Sequence, residues 1–84
     1  MAKAITYTKH AMTAISERGL RLDWVELVAR HPQWTEPDPI DPEVVRHFGM
    51  LPELGGRFLR VALVETDTEY RIVSTFLDRR AKPK

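Results

Sequence analysis

The sequence predicts an α+β fold in which a two-helix hairpin packs on one face of an antiparallel sheet of three to four strands. Residues 57–80 contain two β-branched and aromatic runs on either side of a polar break at 66–69, which is the pattern of a β-hairpin. Two short amphipathic segments joined at Gly19 precede it and are expected to cover it. The 84 residues, 43% of them hydrophobic, suffice for one core, so residues 1–84 are expected to form a single domain.

Capping and helix-ending residues predict the bounds of the first strand and of both helices. Residues 4–7 are predicted to form a short edge strand, and Thr8 stands where an N-cap is expected. A helix over residues 9–18 should follow and end at Gly19, which tolerates the left-handed conformation. A second helix is predicted over residues 22–30, so that the helical hairpin spans residues 9–31.

Residues 32–43 carry four prolines, four carboxylates and no basic residue, a composition that predicts a loop. A loop of this length is expected to lie against the body of a small domain, with Trp34 as its anchor. The sheet is predicted over residues 44–78, and residues 79–84 form a basic tail.

A hairpin turn centred on Asp67 and Thr68 pairs residues whose numbers sum to 135, which is an expectation about the register. In this register Arg60 and Arg71 lie on the face of the sheet that the helices leave uncovered. The residues expected on the covered face are Leu59, Val61 and Leu63, opposite Phe76, Ser74 and Ile72.

Composition bears on nucleic-acid attraction, metal binding and membrane association. A net charge of +1 predicts no strong nonspecific attraction to nucleic acid. Cysteine is absent, and His10, His31 and His47 lack the spacing of a metal site, so neither a metal nor another cofactor is expected. No apolar run approaches the ~18 residues of a membrane span, and a cytoplasmic location without membrane association is expected.

Short motifs follow one another in order along nearly the whole chain. They are His10-Ala11, residues 17–20, Val25, Pro32, Trp34, Arg46-x-Phe48, residues 56–61 and Val73-x-Thr75 with Asp78-Arg79. In this order they resemble the domain-of-unknown-function 4258 family, which looks related to small toxins of the BrnT and RelE/ParE type. The resemblance implies a RelE/BrnT-like fold and, if the protein is an enzyme, a metal-independent ribonuclease. Two positions depart from the family pattern: Ala14 replaces a frequent arginine, and Arg21 replaces a frequent N-cap serine.

Metal-free RNA cleavage needs an acid or base and cations for the phosphate charge. His10 is the candidate acid or base, and the alternative is a structural histidine. The candidate RNA-binding residues, for which the alternative is solvated strand arginines, are Arg46, Arg57, Arg60, Arg71 and Arg79.

The leading hypothesis is a toxin-like RNA-binding or RNA-cleaving domain whose partners are RNA or the ribosome and a small acidic antitoxin-like protein. The alternative is a non-catalytic protein-interaction domain that acts through a sheet edge or by self-association as a homodimer. Trp34 is then the candidate partner anchor, although tryptophan more often closes the core of a small domain.

Overall fold

A computed structural model describes residues 3–83. The fold is α+β, with two helices on one face of a five-stranded mixed sheet in the order β1-β5-β4-β3-β2. The bounds of the elements are β1 Ala4–Tyr7, α1 Lys9–Arg18, α2 Leu22–Arg30, β2 Trp34–Pro37, β3 Val45–Leu51, β4 Arg57–Glu65 and β5 Glu69–Leu77. Neither helix of the described residues is long and apolar enough to cross a membrane.

Both helices have the predicted bounds. The hydroxyl of Thr8 accepts a hydrogen bond from the amide of Ala11, and Gly19 ends α1 with a left-handed φ of 63°. Arg21 stands at the N-cap of α2 without a side-chain cap bond. The helices pack mainly on the sheet, α1 on β5 and α2 on β4 and β3, so they lie side by side over one face.

The sheet differs from the expectation of three to four antiparallel strands. β1 pairs with β5 in parallel. The two strands are not joined by a turn, since β1 is followed by α1, so nothing in their connection requires an antiparallel pair. β2 lies within the segment predicted to be a loop, and the loop prediction is wrong for Trp34–Pro37. Proline is compatible with an edge strand, and Pro37 occupies its last position. Val44 was expected in β3 but lies just before it, because its amide donates a hydrogen bond to the carbonyl of Asp41 within the loop.

The predicted register of the hairpin holds only near its turn. Leu63 pairs with Ile72 as expected, whereas Leu59 pairs with Leu77 instead of Phe76. A bulge between these pairs places one extra residue in β5 and shifts the sum of partners from 135 to 136. Leu59, Val61 and Leu63 are fully buried under the helices, so their assignment to the core face is confirmed.

The opposite face of the sheet, called the outer face below, is covered by its own side chains. Trp34 stacks on Phe48 with ring centroids 4.8 Å apart and meets Phe58 edge-on at 5.3 Å. Phe48 is therefore only 3% exposed although neither α1 nor α2 lies above it. Trp34 thus anchors its segment to the body of the domain, as predicted.

Candidate functional site

Arginines from three parts of the chain meet at the end of the sheet where β4 begins and β5 ends. α1 stops at Arg18, β4 starts with Arg57, and Arg79 follows β5. They surround a groove of about 350 Å³, called the arginine groove below. Its lining residues are Arg18, Leu20, Arg57, Phe76, Leu77 and Arg79.

Two further depressions adjoin the arginine groove, with volumes of about 420 Å³ and 320 Å³. Arg79 lines all three concavities, which therefore lie side by side around this one residue. The second depression adds Arg60 and Arg80, and the third adds Phe58. The end of the sheet thus presents a broad, arginine-lined surface with aromatic side chains in it.

The cations of this surface are largely uncompensated. Within residues 3–83, Arg18, Arg57, Arg79 and Arg80 form no salt bridge, and all four are exposed. Asp78 is the carboxylate that lines the depressions, and it binds Arg60 at 3.5 Å. Four guanidinium groups so placed produce a positive potential that favours an anion with several charges.

Phe76 connects the arginine groove to the outer face. The guanidinium of Arg60 lies 4.0 Å from the centroid of its ring, and that of Arg18 lies 6.0 Å away. Burial lowers the pKa of Arg60, and the positive charge of Arg46 acts in the same direction. Arg60 is therefore a partly buried cation held by Asp78 and Phe76, whereas the other arginines remain available to a ligand.

Three of the five predicted RNA-binding arginines, Arg57, Arg60 and Arg79, belong to this surface. Arg46 lies elsewhere on the outer face in a salt bridge of 3.3 Å with Asp38. Arg71 shares that face with Arg60, but four residues of strand, or about 13 Å, separate them. Arg71 is bound by Glu69 at 3.0 Å, so the two arginines share the outer face as predicted but do not form one site.

His10 is not brought to the arginine groove. It is exposed on the first turn of α1, whereas the groove lies beside the last turn. The eight residues from His10 to Arg18 span about 12 Å along the helix axis. An imidazole so placed does not share a phosphate with these arginines.

Sequence reasoning missed Arg18, Arg80 and Phe76 as site residues. Arg80 belongs to the basic tail, whose charge was visible, and Phe76 was placed on the wrong face by the uniform register. The position of Arg18 could have been inferred from the length of α1. A ten-residue helix that starts beside Ile72 ends near the last residues of β5.

The buried histidine of β3 has a structural role. The buried ring of His47 donates from Nδ1 to the carbonyl of Ala29 at 2.9 Å and so fixes the end of α2 on β3. In the part of the chain that the structure describes, no three His, Asp or Glu side chains are grouped to hold a metal ion.

An acidic loop, defined as residues 38–43, connects β2 to β3 at the opposite end of the sheet. The carboxylate of Asp38 accepts the amides of Asp41 at 2.8 Å and Ile40 at 3.0 Å and also binds Arg46. These amide hydrogen bonds, followed by the charge of Arg46, lower the pKa of Asp38.

Protonation of Asp38 is expected to loosen the acidic loop only below the ordinary pKa of an aspartate carboxyl. Because the folded state lowers this pKa, the carboxylate stabilises the loop above the ordinary value of 3.8, and the contribution is lost as the pH falls through the lowered pKa. The amide proton shifts of Ile40 and Asp41, followed by NMR to about pH 2, should titrate with a midpoint below that value. Asp38→Asn should remove the step, and a midpoint at or above 3.8 would contradict this assignment.

Comparison with protein-family models, with characterised proteins and with solved structures found no match to this chain.

Proposed function

We propose that the protein binds single-stranded RNA through the arginine groove and its adjoining depressions. The observation that carries the proposal is the convergence of Arg18, Arg57, Arg79 and Arg80, none of them in a salt bridge within residues 3–83, on one concave surface. Guanidinium groups bind phosphate oxygens in bidentate geometry, and several together match a chain of phosphates.

Aromatic groups at the same surface favour a single strand over a duplex. Phe76 lines two of the three concavities and Phe58 lines the third. Unpaired bases stack on such side chains, whereas the bases of a duplex are already stacked on each other. The resemblance to the 4258 family and to toxins of the RelE/BrnT type supports RNA as the polyanion.

The geometry of the groove supports RNA binding better than it supports RNA cleavage with His10 as the acid or base. The candidate acid or base lies about 12 Å along α1 from Arg18, and cleavage requires a proton-transfer group within hydrogen-bond reach of the reacting phosphate ester. We therefore propose that the domain holds RNA, on its own or at the ribosome, without His10 acting on the phosphates that the groove binds.

Arg79→Ala is expected to weaken RNA binding about three- to tenfold at low salt, because Arg79 lines all three concavities. Fluorescence anisotropy with a labelled single-stranded RNA of about 12 nucleotides measures the affinity. The slope of log K against log salt should be about −2 to −3 for the wild type and become shallower by about 0.7 in the variant. A gel of the same mixtures reports whether the RNA stays intact.

Arg71→Ala is the matched control, because Arg71 is an exposed strand arginine already held by Glu69 at the far end of β5. It should leave both the affinity and the salt slope unchanged. An equal loss in Arg71→Ala and Arg79→Ala would show that binding depends on overall charge, and a duplex preferred to the single strand would remove the role of the aromatic side chains.

A further inference from the structure

We propose that copies of this chain associate head to tail, with the acidic loop of one copy seated in the arginine groove of the next. The proposal rests on the arginine groove but not on RNA binding. Two observations carry it: the acidic loop holds an isoleucine out in solvent, and the groove offers an apolar floor between cations.

Ile40 is 90% exposed, which is unusual for a side chain in an ordered turn. Its backbone is fixed, since Asp38 accepts the amides of Ile40 and Asp41, and the carboxylate of Asp41 accepts the amide of Glu43 at 3.0 Å. Pro39 and Pro42 restrict the chain further. The loop therefore presents its apolar tip without the ordering cost of a flexible segment.

The loop and the groove are complementary in charge and in shape. Asp41 and Glu43 follow Ile40 and form no salt bridge among the described residues. Within the same residues, the exposed arginines of the groove form none either. A groove of about 350 Å³ has room for one isoleucine side chain. The apolar residues that would contact it are Leu20, Phe76 and Leu77.

The position of the loop excludes insertion into the groove of its own chain. The acidic loop joins strands near the pair Val45 and Leu63, and the groove lies beyond the pair Leu59 and Leu77. Leu63 and Arg57 are six positions apart on β4, which separates the two regions by about 20 Å. The loop also follows β2 at one edge of the sheet, whereas the groove borders β5 near the other edge.

Two different surfaces at diagonally opposite corners make a heterologous contact. Such a contact leaves a free loop at one end of the assembly and a free groove at the other, so it propagates into chains instead of closing as a two-fold dimer. RNA in the groove competes with the loop and should shorten the chains.

Sedimentation velocity at low salt should show a weight-average mass that rises with protein concentration without a plateau at the dimer. Added salt should lower this mass because the contact contains exposed charges. Ile40→Asp should reduce the association constant at least about tenfold, since burial of an isoleucine contributes more than that factor. Leu27→Asp, which changes an exposed apolar residue of α2 outside both surfaces, should leave association unchanged.

Mixing two defective variants provides the sharpest test. Arg79→Glu retains the loop but damages the groove, and Ile40→Asp retains the groove but lacks the apolar tip. Each should be monomeric alone, whereas their equimolar mixture should form a 1:1 heterodimer and stop there. Both positions are exposed, so both variants should fold, and circular dichroism checks this.

A wild type that stays monomeric at high concentration, a dimer plateau, or a mixture without heterodimers would overturn the head-to-tail assembly. RNA affinity separates the two proposals. Ile40→Asp retains the groove and lacks the competing tip, so it should bind RNA at least as tightly as the wild type. In the wild type, self-association without RNA binding, or RNA binding without self-association, identifies which proposal fails.

Discussion

Gly49→Ala is expected to destabilise the protein by about 1–3 kcal/mol, and Gly49→Val by more. Gly49 lies on β3 under α2, where an added Cβ would stand 2.8 Å from Cγ2 of Val28. This distance is too short for two carbon atoms, so the Val28 side chain or α2 itself must shift. A domain of this size has a total stability of about 4–13 kcal/mol, and such a loss is a large part of it.

A loss of stability on Gly49→Ala would itself indicate the close contact with Val28, because the usual effect of this substitution in a strand is the opposite. In a strand without such a neighbour, glycine to alanine should stabilise by roughly 0.5–1 kcal/mol. Urea unfolding followed by circular dichroism measures the free energy of unfolding of Gly49→Ala, of Val28→Ala and of the double variant. The double variant should lose less than the sum of the single losses, because Val28→Ala removes the clashing methyl group. Additive losses, or a stabilising Gly49→Ala, would contradict the close packing of α2 on β3.

The helices could be predicted from sequence because the signals that bound them are local. Thr8 caps the first free amides of α1 within three residues, and Gly19 adopts the conformation that other residues avoid. Pro32 follows α2 by two residues and removes the helical conformation from the residue before it. None of these signals depends on where the rest of the chain lies.

β2 and the bulge of the hairpin depend on contacts between distant residues, which a local pattern does not contain. The prolines around Trp34 indicate a loop, but stacking of Trp34 on Phe48 and pairing with β3 outweigh that local preference. The bulge adds one residue to β5, and a register extrapolated from the turn cannot anticipate it. Phe76 was consequently expected on the core face, and it lies opposite Arg60 on the outer face.

The arginines were identified as candidates by residue type, but ion pairing decides which of them remain available. Glu69 stands two residues before Arg71 on the same face of a strand, so this neutralisation was visible in the sequence. The salt bridge between Arg46 and Asp38 was not visible, since it depends on the turn of the acidic loop. The net charge of +1 likewise conceals a separation of charge. Arginines without a salt bridge among residues 3–83 lie at one end of the sheet, and the acidic loop lies at the other.

Trp34→Ala is expected to destabilise the protein by about 2–4 kcal/mol. The substitution removes the ring that covers Phe48 and Phe58, and the edge strand β2 loses its main attachment to the outer face. Trp34 also donates from Nε1 to Glu36 at 2.9 Å, so its polar atom is satisfied within its own strand. These contacts favour a packing role for Trp34 over that of a partner anchor.

Trp34→Phe retains an aromatic ring over Phe48 and removes the hydrogen bond to Glu36 together with part of the ring area. It should cost less than Trp34→Ala, about 1–2 kcal/mol, since one hydrogen bond contributes a net value of about 1 kcal/mol. Urea unfolding measures the stability of both variants, and anisotropy with single-stranded RNA at a temperature where both are folded measures binding. Trp34 does not line the arginine groove, but it supports Phe58 of an adjoining depression. A loss of affinity in Trp34→Ala that Trp34→Phe does not share would therefore report the displacement of Phe58. A Trp34→Ala protein of normal stability that had lost a binding partner would instead identify this side chain as part of an interface.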